Sequence, residues 1–160
     1  MKVEQLMIRS VRACRSDDTL NTAAQIMWEN DCGCVPVVDP GSHVVGMVTD
    51  RDLCMAAYIQ GRRLTEMRVS SAMSHEVLVC RAEDSIATAE ELMRTHQIRR
   101  LPVVDENGCL AGILSLNDIV CESERQRQQT GKRQITANEI AATLAAVCSH
   151  RSPRDMVVAA

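Results

Sequence analysis

Two short stretches of the chain place a hydroxyl and a carboxylate at one spacing. Gly46-Met47-Val48-Thr49-Asp50-Arg51-Asp52 and Gly112-Ile113-Leu114-Ser115-Leu116-Asn117-Asp118 each run glycine, two apolar residues, a hydroxyl residue, two variable residues and an aspartate. If a buried strand ends on the hydroxyl residue and hands over to a helix, unpaired N–H groups and the positive end of the helix dipole meet there, a setting that favours phosphate. The aspartate three residues on falls in the first turn. Its carboxylate can accept hydrogen bonds from both hydroxyls of a ribose, and the threonine or serine hydroxyl can reach ribose or phosphate. The same residue types at the same spacing also form an ordinary capping arrangement, in which the aspartate serves only the helix. Both readings are open, because a duplication copies caps as faithfully as it copies sites.

Arg99-Arg100 precedes an apolar run, and two guanidinium groups there suit phosphate oxygens; the alternative is a pair of solvated charges flanking a buried strand. Cys32-x-Cys34 lacks the second close pair that a zinc site needs, and nothing completes a tetrahedral set around His43 and Cys109, so no metal site is predicted. The Cys148-Ser149-His150 run cannot bring a nucleophile and base together as adjacent residues, and no oxyanion element accompanies it. His75 and His96 are expected on the surface. With no phosphate-cradling or dinucleotide glycine fingerprint either, no catalytic residue is assigned and the chain is not read as an enzyme.

The elements that must position these residues come from a duplication. Val35-Pro36-Val37-Val38-Asp39 returns as Leu101-Pro102-Val103-Val104-Asp105, an offset of 66, and residues 1–53 and 67–119 share 16 identities in that one register without a gap. Each copy predicts the order β-α-β-β-α: a short strand at 9–14, a helix from Thr19 to about Asn30, strands at 35–38 and 44–48 joined by Pro40-Gly41-Ser42, and a helix from Thr49 to about Gln60. The second copy predicts strands at 77–80, 101–104 and 110–114 and helices at 85–97 and 115–127, with Glu106-Asn107-Gly108 as a hairpin turn. The repeats span 1–62 and 67–127, and residues 61–66 link them. Residues 128–160 form a tail: a polar stretch interrupted by Gly131, then a helix at 136–147 with Ile140, Leu144 and Val147 on one face, ended by Ser152-Pro153-Arg154. The fold class is α/β, two equal halves packed about a pseudo-twofold axis.

Composition narrows the function. Of 160 residues, 46% are hydrophobic and 24% charged, with a net charge of −3, so no broad basic field attracts a nucleic-acid backbone. With no Phe, one Trp and one Tyr, the core rests on Val, Ile, Leu, Met and Ala, and a nucleobase would be gripped by aliphatic side chains and backbone rather than stacked. The eight cysteines sit mostly in apolar runs with no secretory leader before them, and no apolar run reaches the ~20 residues of a membrane helix. A soluble, cytoplasmic protein with reduced thiols is expected.

The order and spacing of Val-Pro-Val-Val-Asp followed by Gly-apolar-apolar-Ser/Thr-x-x-Asp, in tandem over about residues 1–125, resembles the CBS-domain family. The resemblance implies a two-repeat Bateman module that binds AMP, ADP or ATP, with S-adenosylmethionine and NAD ranked behind them, and that regulates a partner protein as a homodimer. It implies two clefts, each mixing residues of both repeats: the helix-start motif of one repeat holds ribose and phosphate, and the first strand and pre-proline residues of the other hold the base. One cleft then contains Thr49 and Asp52 with Val77, Leu78, Ile98, Arg99 and Arg100. The other contains Ser115 and Asp118 with Val11, Arg12, Cys32, Gly33 and Cys34. Gly33-Cys34 stands where the second repeat has Arg99-Arg100, so the Thr49/Asp52 cleft is expected to be the better site for a phosphorylated adenosine. The competing expectation is a ligand-free oligomerising or protein-binding module.

Overall fold

The structure is a computed structural model that describes residues 1–128 and 135–149. Its regular elements are α1 (Leu20–Glu29), β1 (Cys34–Val38), β2 (Val44–Thr49), α2 (Asp50–Gln60), β3 (Cys80–Arg81), α3 (Ile86–His96), β4 (Arg100–Val104), β5 (Leu110–Ser115), α4 (Leu116–Gln128) and α5 (Ala137–Cys148), with single 3-10 turns at Val3–Gln5, Leu64–Glu66 and Val69–Ser71. The class is mixed α/β with two small sheets, β1-β2 and β3-β4-β5. Gly131, His150 and Ser152-Pro153-Arg154 of the tail lie outside the described residues.

Local chemistry sets the helix starts. The Thr19 hydroxyl accepts the Thr22 N–H at 3.2 Å and the Ser85 hydroxyl accepts the Thr88 N–H at 3.0 Å, each filling one of the donors that a helix start leaves unpaired. Between the caps and the strands, α1 buries Leu20, Ala23 and Met27, and α3 buries Ile86, Ala89 and Met93. β1 and β2 form an antiparallel hairpin with Cys34 opposite Thr49 and Val35 opposite Val48. Its turn needs a left-handed residue, supplied by Ser42 (φ 68°) and, at the same register in the second copy, by Gly108 (φ 81°).

The first predicted strand differs from expectation. In the first repeat it shrinks to one parallel bridge, Cys14 to Val37, and in the second it is the two-residue β3 rather than residues 77–80. Cys14 N–H donates to the Pro36 carbonyl at 3.1 Å and its carbonyl accepts the Val38 N–H at 2.9 Å. This pairing asks nothing of the Pro36 nitrogen, which has no hydrogen to give. Before Cys14 the chain carries exposed Arg9, Ser10 and Arg12, with no buried face to hold a longer ladder.

The chain divides into two compact units that do not coincide with the two repeats. One unit holds Met1–Met7, Glu83–Leu101 and the described residues from Leu114 onward; the other holds Ile8–Ala82 and Pro102–Ile113. Each repeat gives its leading segment to the unit built on the other repeat's first helix. In the first unit Val3 N–H donates to the Asp84 carbonyl (2.9 Å) and Ile86 N–H to the Met1 carbonyl (3.0 Å). In the second, Val69 N–H donates to the Asp18 carbonyl (2.8 Å) and Leu20 N–H to the Met67 carbonyl (2.9 Å), the same bonds displaced by 66 residues. Val3, Met67 and Val69 are buried as a result. Gly46 has a packing reason of its own: a Cβ there would meet Met73 Sδ at 2.8 Å and the Ser74 carbonyl at 3.0 Å, where residues 73–74 bridge to β2.

The second unit's core gathers Leu20, Met27, Val35, Val37, Val48, Leu53 and Met67. The only Trp and the only Tyr are outside: Trp28 is 87% exposed and Tyr58 81%. In the first unit α5 packs on α3 and α4 through Ile140, Thr143 and Val147. Leu144, predicted on that face, is 39% exposed and Thr143 takes the inward position. The Thr143 hydroxyl donates back to the Glu139 carbonyl at 3.0 Å, which satisfies its polar atom within the helix and lets the side chain bury.

Candidate functional site

Both hydroxyl-x-x-Asp motifs are built as reciprocal caps. Thr49 precedes α2 in an extended conformation; its hydroxyl accepts the Asp52 N–H at 3.2 Å, while Asp52 Oδ2 accepts the Thr49 N–H at 2.8 Å and the Thr49 hydroxyl at 2.7 Å. Ser115 and Asp118 repeat the arrangement at 3.3, 2.8 and 2.6 Å. The capping reading therefore holds in both copies. Each box consumes one carboxylate oxygen. Among the described residues nothing donates to the other, Oδ1, so each aspartate keeps a fixed acceptor with two lone pairs. All four residues are half-buried.

The sequence reading expected free N–H groups at both helix starts, and the structure corrects this at α2. Asp50 N–H donates to the Gly33 carbonyl (3.2 Å), Arg51 N–H to Asp50 Oδ1 (2.7 Å) and Asp52 N–H to the Thr49 hydroxyl. The first three donors are spent, and Asp50 adds a second carboxylate to the turn. At α4 Leu116 replaces Asp50. Leu116 N–H donates to the Arg99 carbonyl (2.9 Å) and Asp118 N–H to the Ser115 hydroxyl. The Asn117 N–H has no partner among the described residues, and Asp118 is the single acid of that turn. Anion binding at a helix start is thus possible at α4 and opposed at α2.

Each pre-proline segment is set against the helix start of its own repeat. Gly33 and Cys34 adjoin Asp50 and Thr49 in one unit, and Arg99 adjoins Leu116 in the other. Thr49, Asp52, Val77, Leu78, Val11, Arg12, Cys32, Gly33 and Cys34 all belong to one unit, and Ser115, Asp118, Ile98, Arg99 and Arg100 to the other. Arg12, Cys32 and Arg99 are exposed, Cys34 is buried, and Val11, Gly33, Val77, Leu78, Ile98 and Arg100 are half-buried.

Cys32 and Cys34 are no dithiol pair facing one way, since the first is exposed and the second buried. Burial pushes the Cys14 thiol up to about 11, which keeps it a protonated, inert core side chain. Among the described residues no three metal-binding side chains converge, and no helix is long and apolar enough to cross a membrane. His75 and His96 are exposed.

Two tandem matches to the CBS domain, over residues 3–58 and 69–124, cover both hairpins and both capped helix starts. The chain belongs to the CBS-domain family. The CBS domain-containing protein YhcV of Bacillus subtilis is 38% identical over 117 residues, which are 73% of this chain and 81% of that protein. Among solved structures, a CBS-domain-containing protein of Agrobacterium tumefaciens aligns with a TM-score of 0.68 at 33% identity, covering 76% of this chain and 98% of that one. CBSX2 of Arabidopsis thaliana, solved in complex with AMP, aligns with a TM-score of 0.69 at 26% identity over 79% of this chain and 98% of its own. The groups that sequence reasoning missed in this CBS pair are Asn117, whose N–H stays open only because Leu116 replaces an aspartate, and Asp50, whose side chain blocks the equivalent N–H.

Proposed function

We propose that this CBS pair is a regulatory module that binds an adenine nucleotide of the AMP, ADP or ATP class and passes its binding state to a partner protein. The observation that carries the reading is the doubled capping box, which locks Asp52 and Asp118 while leaving Oδ1 of each open to the vicinal hydroxyls of a ribose. The likeness to CBSX2, solved with AMP, supports the ligand class. In one site Thr49 and Asp52 act with Val77, Leu78, Ile98, Arg99 and Arg100; in the other Ser115 and Asp118 act with Val11, Arg12, Cys32, Gly33 and Cys34. The two sites hold phosphate by different means. The α2 start offers it no N–H, so the guanidinium groups of Arg99 and Arg100 must supply the charge, while the α4 start adds the Asn117 N–H to Arg12. A guanidinium pair favours an anion over the cationic sulfonium of S-adenosylmethionine, which ranks lower for that reason. The proposal includes a homodimer and a cytoplasmic setting, which eight cysteines with no disulfide among the described residues favour. It assigns no catalytic role.

In a thermal-shift panel of AMP, ADP, ATP, S-adenosylmethionine and NAD, the adenine nucleotides are expected to raise the melting temperature in proportion to affinity. Flat responses to all five would replace this reading with a ligand-free oligomerising module. Calorimetry on variants tests the residues. Arg100→Ala is expected to weaken AMP about tenfold, the scale of one charge-assisted phosphate contact. In double-mutant cycles Arg100→Ala should couple to Asp52→Asn and add independently to Asp118→Asn. Coupling to Asp118 instead would move the arginines to their own repeat's helix start.

A further inference from the structure

The far end of α5 is tied to the residue that leads into the arginine pair. Within one unit, Gln97 Nε2 donates to the Ala146 carbonyl at 3.2 Å and to the Ser149 carbonyl at 3.3 Å. Both carbonyls lie at the C-terminal end of α5, the negative end of its dipole, where side-chain donors are favoured. Gln97 caps α3 in the left-handed conformation (φ 52°), which a residue with a Cβ keeps only when its surroundings hold it there. Ile98, Arg99 and Arg100 follow at once. Ile98 N–H donates to the Met93 carbonyl at 3.1 Å, and the Arg99 carbonyl accepts the Leu116 N–H at 2.9 Å. The segment 98–100 is therefore fixed from three sides: the end of α3, the end of α5 and the start of α4.

α5 itself is anchored at one end and releasable at the other. At its start Ile135 N–H donates to Gln126 Oε1 at 3.3 Å and the Ser123 hydroxyl donates to the Ile135 carbonyl at 3.4 Å, which fastens it to α4. The helix has 12 residues, too few to persist without packing. Ile140, Thr143 and Val147 supply that packing, but beneath them Glu90 is 5% exposed and its Oε1 has no hydrogen-bond partner, a penalty that undocking of α5 relieves. We infer that α5 is a strap that orders the segment 98–100, so that docking of its end on Gln97 and nucleotide binding by Arg99 and Arg100 reinforce each other. The inference rests on the nucleotide reading above and adds to it how that site is regulated. Two arginine side chains lose conformational freedom when they close on a phosphate, and they lose less from a backbone that is already fixed. A nucleotide that engages them in turn favours the state in which α5 is docked.

Calorimetry with AMP and hydrogen exchange on the 160-residue chain test the strap together. Saturating AMP is expected to slow exchange of the α5 amides about fivefold, the lower end of common coupling factors. Gln97→Gly keeps the left-handed backbone and removes only the amide. It is expected to bind AMP about fivefold more weakly, the same factor because coupling between two sites is reciprocal, and to lose the AMP-dependent protection of α5. Gln97→Glu keeps the length of the side chain but, ionised, has no hydrogen to donate, and should behave alike. If Gln97 positions the arginines, Gln97→Gly adds little to the loss already present in Arg100→Ala; if it only closes α3, the two losses add in full. AMP binding with unchanged α5 exchange, unaltered affinity in both Gln97 variants, or full additivity with Arg100→Ala would each overturn the strap and leave the nucleotide reading standing. No AMP binding by the unsubstituted protein would overturn both.

Discussion

Met67→Ala is expected to lower the free energy of unfolding by about 3 kcal/mol, within the range for removing a buried methionine without full collapse of the space. Met67 stands at the very start of the second repeat, where a sequence reading places the edge of a linker. In the structure it is 2% exposed, and it packs into the core formed by Leu20, Met27 and Leu53 of the first repeat, while its carbonyl accepts the Leu20 N–H. The side chain thus fastens the exchanged segment to α1. Met55→Ala, at an exposed position on α2, is the control and should cost less than about 0.5 kcal/mol. Urea unfolding followed by circular dichroism would read both. A Met67→Ala midpoint within error of the wild type, at unchanged slope, would mean that the leading segment does not stabilise the first repeat.

The exchange explains what the sequence could and could not reveal. Thr19, Ser85, Thr49 and Ser115 were legible as caps because a cap is a local arrangement: the hydroxyl and the N–H it accepts lie three residues apart. The hairpins were legible for the same reason. The partners of Val3 and Val69 were not, since each bonds a backbone carbonyl that no side chain announces, at Asp84 and Asp18. The duplication itself hid the result, because equal copies suggest self-contained halves. Periodicity misplaced Leu144 and Thr143 by scoring only side-chain polarity. The site was half legible. The pairing of hydroxyl and carboxylate followed from spacing, but the fate of the helix-start donors turned on one residue, Asp50 against Leu116, whose side chain sits outside the motif. Nothing in the pattern of α3 marked Glu90 as buried, because its burial is set by whether a later helix covers that face.

Glu90 is where that covering helix leaves a measurable signature. It is 5% exposed beneath α5, and its Oε1 has no hydrogen-bond partner. Burial, then the nearby Glu139 carboxylate, pushes its pKa above the ordinary 4.5, while Arg94 on α3 and the Thr143 hydroxyl pull the other way. Arg94 is itself paired with Glu91, which limits its help. The Thr143 hydroxyl also donates to the Glu139 carbonyl, so its help to a charged Glu90 is limited, and Glu90 Oε1 stands without a donor. A folded pKa raised above the unfolded value contributes stability that is fully present below about pH 4.5 and is lost as pH rises through the folded value. Glu90→Gln removes the buried charge, keeps the shape and retains a donor for Thr143. It is expected to stabilise the protein by about 1–3 kcal/mol at pH 7 and to flatten the fall in stability as pH rises from about 4.5 toward 7. Urea midpoints of both proteins across that range would show curves converging at the acid end. Parallel curves would mean that Glu90 meets water in solution and that α5 does not seal the α3 face.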